Sequence, residues 1–216
     1  MYNKWVDGEK MASMEYENKY YDLGYKMIVG MDEAGRGPLA GPLTVACVIL
    51  PKDYYNENIN DSKKLSEKKR EELFQEINKV AVYIGVKIID EATIDAMNIY
   101  AATKKAMEDL INEIPFKVDV VLVDAMKIDL KDVVNVPLIH GDAISTSIAA
   151  ASIIAKVTRD HIMYDIDKEF PVYDFKNNKG YGTKKHMEAI EKYGICKYHR
   201  LTYYPVSKYS QLKLDI

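Results

Sequence analysis

Residues 27–41 read MIVGMDEAGRGPLAG and carry more information about this chain than any other segment. Their apolar beginning predicts a short buried strand, Met27–Met31, and two acids, Asp32 and Glu33, follow it directly. Carboxylates that leave water at the end of a buried strand need a compensating partner, and divalent cations are common ones. The loop that follows, residues 34–41, contains three glycines, which let a backbone come close to a ligand. The segment therefore predicts a metal site followed by a close-contact loop.

Two further acids lie at the ends of predicted elements downstream. The apolar run VDVVLV at residues 118–123 predicts a strand that stops at Asp124, and Asp142 follows a glycine just before a long predicted helix. Four carboxylates held together repel one another, and two Mg²⁺ or Mn²⁺ ions about 3.5–4 Å apart would balance that charge. Oxygen ligands without histidine or cysteine suit these cations. The pattern favours two-metal chemistry on a phosphate-bearing polymer.

Each acid also has a simpler interpretation, and the residues alone leave it open. Asp142 is well placed to cap the long helix, and Asp124 to begin a turn after its strand. Arg36 could pair with one of the acids that follow the first strand. Since successive strand residues point to opposite faces, Asp32 and Glu33 can share a site only if the strand ends there and the chain turns.

Hydrophobic spacing along the rest of the chain predicts strands that alternate with helices, which favours an α/β fold. The further predicted strands are residues 44–50, 81–89 and 136–139, and the predicted helices are one capped by Ser66 and residues 99–114, 143–170 and 183–193. We divide the chain into a polar N-terminal lead-in (1–26), a main domain (27–195) and a C-terminal tail (196–216).

Composition is that of an ordinary soluble globular protein, and the net charge of -3 does not by itself indicate a nucleic-acid binder. Residues 174–200 nevertheless contain seven Lys or Arg and three acids. A local basic surface on an acidic protein suits a polyanionic partner, although a solvated lysine-rich surface explains the same pattern. Two isolated cysteines, a polar N-terminus and the lack of a membrane-length apolar run predict a cytoplasmic protein.

Six motifs make the chain resemble bacterial ribonuclease HII, the type 2 ribonuclease H. They are GMDEAGRGPLAGP (residues 30–42), DSKKLSEKKRE (61–71), VLVDA (121–125), HGDAISTSIAAASIIAKVTRD (140–160), KGYGT (179–183) and YHRLTYYPV (198–206). They occur in the order typical of that family, and together they span residues 30–206, which is most of the chain.

The resemblance implies a ribonuclease H-like fold, a mixed sheet flanked by helices, with a small C-terminal helical extension. It implies hydrolysis of the RNA strand of RNA–DNA hybrids, and nicking 5′ of single ribonucleotides embedded in duplex DNA. The expected products carry 5′-phosphate and 3′-hydroxyl ends, and the enzyme is expected to act as a monomer with two Mg²⁺ or Mn²⁺ ions. The family's catalytic, metal-binding acids correspond here to Asp32, Glu33, Asp124 and Asp142.

The resemblance also assigns substrate-binding residues. Gly35, Arg36 and Gly37 would recognise the ribose 2′-hydroxyl, the group that distinguishes RNA from DNA. Tyr181 would pack on the sugar at the RNA–DNA junction, although a loop tyrosine covering the core is a simpler interpretation. The last two residues of this set, Lys63 and Lys64, would contact backbone phosphates, and their simpler interpretation is an exposed approach to a helix.

The chain departs from the family pattern at two positions. Gly182 replaces the usual proline, so the loop that carries Tyr181 is expected to be more mobile. His140 replaces a lysine beside the fourth acid, where it could add pH dependence, contact a metal-binding residue, or simply end a strand. Arg36 and the short lead-in favour ribonuclease HII over ribonuclease HIII, which lacks this arginine and has an additional N-terminal domain.

Three other functions are compatible with parts of the pattern. A junction resolvase or an exonuclease on the same fold would share the acids but would not require ribose in its substrate. A non-catalytic binding module would use the basic surface alone. A nucleotide-binding site at the glycine loop is disfavoured because GRGPLAG lacks the Walker pattern and its lysine.

Overall fold

The computed structural model describes residues 5–6 and 9–211, with side chains from residue 11 to residue 209. Positions 1–4, 7 and 8 of the predicted lead-in and 212–216 of the predicted tail lie outside the described residues. The strands are β1 (Trp5–Val6), β2 (Glu9–Lys10), β3 (Ile28–Ala34), β4 (Leu43–Ile49), β5 (Tyr83–Ile89), β6 (Val120–Asp124) and β7 (Val134–Leu138). The α-helices are α1 (Glu15–Asp22), α2 (Glu67–Val80), α3 (Glu91–Met97), α4 (Ile99–Asn112), α5 (Thr146–Glu169), α6 (Phe175–Asn178), α7 (Lys184–Tyr193) and α8 (Val206–Gln211).

The five longer strands form one mixed sheet in the order β5-β4-β3-β6-β7, and helices flank it. Strand β6 pairs in parallel with β3 on one side and with β7 on the other. The carboxyl ends of these three strands therefore meet at the same edge of the sheet, where ligand sites of α/β folds commonly form. The predicted α/β fold with a mixed sheet is confirmed.

Chain contacts divide the protein into two compact units. The first consists of Met1–Ala34, Val45–Lys87 and Thr103–Val157. The second consists of Gly35–Thr44, Ile88–Ala102 and Thr158–Ile216. This division follows contacts in space, whereas the predicted boundaries after residues 26 and 195 follow sequence composition, and those boundaries stay a prediction.

Close packing of α5 on the sheet organises the first unit. Gly30, in the middle of β3, has no room for a side chain, because an added Cβ would lie 2.1 Å from the carbonyl carbon of Ser147. The alanines of α5, residues 149–151, are fully buried in the same core as Leu73 and Ile77 of α2. Small residues of α5 thus form the face that packs on the sheet.

The second unit has its own core, which is rich in aromatic side chains. Phe175 and Tyr173 stack with their ring centroids 5.2 Å apart, and Ile190 of α7 and Val206 of α8 are buried beside them. Both units therefore bury apolar surface of their own. Along the described residues, no helix combines the length and the hydropathy needed to cross a membrane.

Local signals predicted several element boundaries correctly. The Ser66 hydroxyl accepts a hydrogen bond from the Lys69 N–H at the start of α2, as its predicted capping role requires. Thr183 caps α7 in the same way through the N–H of His186. Helix α3 was not predicted, although Asp90 is a capping residue whose Oδ1 accepts from the Thr93 N–H at 2.7 Å.

Candidate active site

Three carboxylates converge in the first unit. Asp32 in β3, Asp124 at the end of β6 and Asp142 each offer one oxygen, and these oxygens all lie within 4.8 Å of one another. Asp32 and Asp142 are buried, each with 4% of its surface exposed, and Asp124 is half-buried. A set of close, buried carboxylate oxygens is the type of donor group that hard divalent cations prefer. These residues therefore fit a divalent metal ion.

Strand register explains why two of the acids meet. Strands β3 and β6 are parallel, and Met31 pairs with Val123, so the next residue on each strand, Asp32 and Asp124, lies beside the other. The Gly141 N–H donates to Oδ1 of Asp124 at 2.7 Å, which ties the segment before Asp142 to the end of β6. The sheet and one backbone hydrogen bond thus assemble the three-carboxylate group.

The electrostatics of the group favour a bound cation. Burial, and next the charge of Glu33, raises the pKa of Asp32 well above its usual range, and Asp124 adds to the rise. Burial also raises the pKa of Asp142, and the ammonium of Lys63 opposes that rise. Desolvated like charges resist ionisation, so a divalent ion that replaces the lost hydration would hold these groups in the charged form.

Two serines support Asp32. The Ser152 hydroxyl hydrogen-bonds to the Asp32 carboxylate. Its oxygen also lies 2.9 Å from the hydroxyl oxygen of Ser62, and both serines are buried. The pair links α5 and the segment before α2 to the carboxylate, which fixes its orientation. Sequence reasoning missed this pair, since nothing local marks two serines ninety residues apart as partners.

The predicted phosphate-binding lysines differ in their surroundings. Lys63 Nζ donates to Oδ2 of Asp142 at 3.2 Å while its side chain remains 76% exposed. Partial burial lowers the pKa of Lys63, but the charge and hydrogen bond of Asp142 outweigh it, so the pKa is raised. Lys64 is exposed. Lys63 is therefore part of the acidic group's surroundings, which its sequence position did not indicate.

The structure corrects the predicted end of the first strand. Strand β3 continues through Ala34, so Asp32 and Glu33 both lie within it and do not follow it. Because neighbouring strand side chains alternate between faces, only Asp32 enters the three-carboxylate group. The Glu33 N–H instead donates to Oδ1 of Asp32 at 2.7 Å. A role for Glu33 as a metal ligand stays a prediction.

The start of the long helix also differs from its prediction. Helix α5 begins at Thr146, and a 3₁₀ turn, Gly141–Ala143, precedes it. Asp142 lies inside this turn, four positions before the first residue of the helix, so it is not the cap of α5 that its position suggested. His140 is exposed and adopts a left-handed conformation at the start of the turn.

The glycine loop from Gly35 to Gly41 lies in the second unit, and Gly35 and Gly37 face different environments. Gly35 has φ +99°, and an added Cβ would lie 2.2 Å from Nε of Arg159, so only glycine fits. At Gly37 an added Cβ would meet only Tyr181, whose Cε1 lies 3.5 Å away. Tyr181 is 50% exposed, so its ring is accessible beside Gly37. The structure therefore brings these predicted binding residues together.

One buried arginine, Arg159, donates to backbone carbonyls outside residues 35–37. Arg159 donates to the carbonyls of Pro42 at 2.8 Å, Ala40 at 3.1 Å and Lys179 at 2.9 Å. Burial, and next the charge of Arg200, lowers the pKa of Arg159 to about 10, so its guanidinium stays charged at neutral pH. Carbonyl dipoles that surround a guanidinium compensate its charge without a carboxylate in contact.

Two buried histidines form a directed chain of hydrogen bonds behind Tyr181. His186 Nδ1 lies 2.9 Å from the Tyr181 carbonyl and must donate, which leaves its Nε2 to accept from His199 Nε2 at 3.1 Å. His199 Nδ1 then accepts from the Cys196 N–H at 3.0 Å. Burial, and next the charge of His186, lowers the pKa of His199 to about 4. The pair is therefore neutral at physiological pH and holds the Tyr181 backbone.

Comparison with known proteins identifies the family of this chain. The family model for Ribonuclease HII matches residues 29–206. The ribonuclease HII of Acetivibrio thermocellus is 52% identical over 188 residues, which cover 87% of this chain and 73% of that protein. The ribonuclease HII of Acholeplasma laidlawii is 51% identical over 196 residues, 91% of this chain and 96% of that protein.

The chain belongs to the ribonuclease HII family. Its fold also resembles the crystal structure of ribonuclease H2 from Pyrococcus horikoshii OT3, with a TM-score of 0.75 at 22% identity over 88% of this chain and 99% of that one. As a ribonuclease HII it is a ribonuclease H, which acts on RNA–DNA hybrids and uses divalent metal ions. The predicted family and enzyme class are confirmed, and the resolvase, exonuclease and binding-module alternatives are set aside.

Proposed function

We propose that this ribonuclease HII, besides acting on RNA–DNA hybrids, nicks duplex DNA 5′ of a single embedded ribonucleotide and leaves 5′-phosphate and 3′-hydroxyl ends. The observation that carries the proposal is the convergence of Asp32, Asp124 and Asp142 within 4.8 Å. Such a group suits hydrolysis of a phosphodiester, whose transition state gathers negative charge on oxygen. The chain would act as a monomer.

The acids would divide the task of metal binding. Asp32 and Asp124 would anchor two divalent ions, Mg²⁺ or Mn²⁺, and Glu33 and Asp142 would complete their ligand sets. Bound there, two such ions supply an activated water and stabilise the leaving oxygen of an in-line displacement. The hydrogen bond from Gly141 to Asp124 and the hydroxyl of Ser152 on Asp32 support this assignment, because each fixes a carboxylate before any ligand arrives.

Recognition of ribose would fall to the glycine loop. Gly35, Arg36 and Gly37 would contact the 2′-hydroxyl next to the scissile phosphate, and Tyr181 would pack on the sugar at the junction. The open space at Gly37 and the exposed ring of Tyr181 beside it support these roles, since a sugar needs both room and a flat apolar surface. Lys63 and Lys64 would hold backbone phosphates, which adds affinity and salt sensitivity without sequence preference.

The test compares two duplexes that differ by one oxygen atom. A labelled DNA duplex with a single ribonucleotide and its all-DNA counterpart are incubated with the enzyme in Mg²⁺, in Mn²⁺ and in EDTA. We expect a metal-dependent nick 5′ of the ribonucleotide and none in the control duplex. Cleavage of both duplexes would contradict recognition of the 2′-hydroxyl. Cleavage of a uniform RNA–DNA hybrid without any nick at the single ribonucleotide would restrict the enzyme to hybrids.

A further inference from the structure

Arg200 makes an unusual set of contacts for a buried charged residue. Its guanidinium has no exposed surface and donates to the carbonyls of Gly35 at 2.6 Å, Arg36 at 3.0 Å and Gly41 at 2.7 Å. The Arg36 carbonyl also accepts from the Tyr203 hydroxyl at 2.9 Å. All of these residues belong to the second unit. Two successive carbonyls of the glycine loop thus point at one buried cation.

Because Arg200 holds the carbonyls of Gly35 and Arg36, peptide geometry also sets the direction of the N–H groups that follow them. In a trans peptide the C=O and the following N–H point in opposite directions. The only cis bond among the described residues precedes Pro205, so the peptides after Gly35 and Arg36 are trans. Their N–H groups, those of Arg36 and Gly37, therefore point away from Arg200. Arg36 and Gly37 are also the exposed residues of the loop.

Reversal of either peptide would be costly. It would turn an N–H towards the buried guanidinium and remove a charge-assisted hydrogen bond, and a buried cation that loses its acceptor cannot recover it from water. Tyr203 adds a second donor to the Arg36 carbonyl, and its ring lies over the Arg200 guanidinium at 5.0 Å from the centroid. The direction of both N–H groups is thus fixed before a substrate binds.

We infer that Arg200, assisted by Tyr203, is the positioning residue for recognition of the ribose 2′-hydroxyl. It holds the Gly35–Arg36 and Arg36–Gly37 peptides so that two N–H donors face the 2′ oxygen. This inference rests on the proposed function, in which the loop at residues 35–37 contacts that hydroxyl. Arg200 itself does not touch the substrate, because it is buried beneath the loop.

Arg159 provides a matched control. It is equally buried, lies in the same second unit and also donates to carbonyls, but the carbonyls that its hydrogen bonds reach are those of Ala40, Pro42 and Lys179. Replacement of either arginine by lysine keeps a positive charge and removes the planar fork. A purely structural role would make the two replacements equivalent, whereas a positioning role separates them.

The experiment measures preference for ribose in binding. Arg200→Lys, Arg159→Lys and Tyr203→Phe are each combined with Asp124→Asn to limit cleavage, and the Kd for a single-ribonucleotide duplex and for its all-DNA counterpart is measured in Mg²⁺. The preference for ribose is the Kd for the all-DNA duplex divided by the Kd for the single-ribonucleotide duplex. Relative to the Asp124→Asn parent, we expect Arg200→Lys to reduce this ratio about tenfold and Tyr203→Phe about threefold, because hydrogen bonds that orient the donors are lost. Arg159→Lys should change the ratio less than about twofold.

The outcomes separate the inference from the proposed function. Thermal unfolding shows whether each variant is folded, and if Arg200→Lys does not fold, the half-buried Tyr203→Phe provides the decisive measurement. An unchanged ratio in the folded variants, or an equal loss in Arg159→Lys, would overturn the inference alone. A parent protein without preference for the ribonucleotide would overturn the proposed function, and the inference with it.

Discussion

The three-carboxylate group and the glycine loop with its two buried arginines both place charged groups away from water, but the charges are compensated differently. In the first unit Asp32, Asp124 and Asp142 gather like charges, and burial raises the pKa of Asp32 and of Asp142. In the second unit Arg159 and Arg200 are buried cations, and carbonyl oxygens of the loop surround both. Backbone carbonyls of the protein compensate the cations, whereas we propose that metal ions supply most of the compensation for the acids, beside the contact of Lys63 with Asp142.

This difference predicts opposite effects of substitution. In the second unit, where carbonyls of the protein compensate the arginines, replacement of an arginine destabilises the fold because buried carbonyls lose their hydrogen bonds. In the three-carboxylate group, where metal ions are proposed to compensate the charge, replacement of an aspartate by asparagine relieves repulsion. It should therefore stabilise the metal-free protein while it removes activity. On the proposed function, the acidic group therefore lowers stability in return for metal binding, whereas the hydrogen bonds of the loop add to stability and fix its shape.

Asp124→Asn, in the three-carboxylate group, is expected to have the largest effect on activity. We expect the cleavage rate to fall at least about a thousandfold, since one carboxylate of the proposed metal site is lost, while the Kd for substrate changes only a few-fold. Single-turnover cleavage and anisotropy binding measure the two quantities. Asp129→Asn is the control, because Asp129 is an exposed acid of the same unit that pairs with Lys104. Near-normal cleavage by Asp124→Asn would refute the assigned site.

Substitutions of Gly35 and Gly37 should have different effects, one on stability and the other on activity. Gly35→Ala is expected to lower the free energy of unfolding by about 1–3 kcal/mol, because φ is positive and Arg159 fills the space of a Cβ. Gly37→Ala should keep the unfolding free energy but reduce cleavage by about 10–100-fold, since its methyl group would hold the sugar away. Urea denaturation and cleavage assays distinguish the two, and equal activity in Gly37→Ala and wild type would contradict close approach.

Tyr181→Ala tests whether the second unit contributes to cleavage at a single ribonucleotide. We expect about a tenfold loss of cleavage at a single ribonucleotide, from the lost stacking surface, and a loss below about threefold on a uniform RNA–DNA hybrid. Tyr193→Ala is the matched control, because Tyr193 in α7 is exposed to a similar extent, 54% against 50%. Equal losses on both substrates would argue that Tyr181 contributes only general binding.

Asp32→Asn should produce the smallest effect and the one of opposite sign. Burial raises the pKa of Asp32, so the folded state keeps a proton that the unfolded state releases, and metal-free stability falls as pH rises from about 4 through the folded pKa. We expect the variant to lose this decline and, at pH 8 in EDTA, to unfold about 2–4 °C higher, which corresponds to about 1 kcal/mol. A lower unfolding temperature at both pH 5 and pH 8 would contradict the electrostatic account.

Two helix starts and the positions of the main strands were predictable because their signals are local. Ser66 and Thr183 cap helices through N–H groups three residues away, and the apolar runs ahead of Asp32 and Asp124 define β3 and β6. Periodicity and capping act over a few residues, so one sequence contains them completely. The motifs identified the family for the same reason, since each is a short contiguous segment.

What the sequence by itself determined, then, is the main strands and helices, the family and a set of candidate acids. Only the tertiary structure decided which acids meet, since that depends on the register of β3 against β6 and on where β3 ends. It alone revealed the contact of Arg200 with Gly35, between residues 165 positions apart. The physical reason is that alignment of distant chain segments is set by the packing of the whole core, which no local pattern specifies.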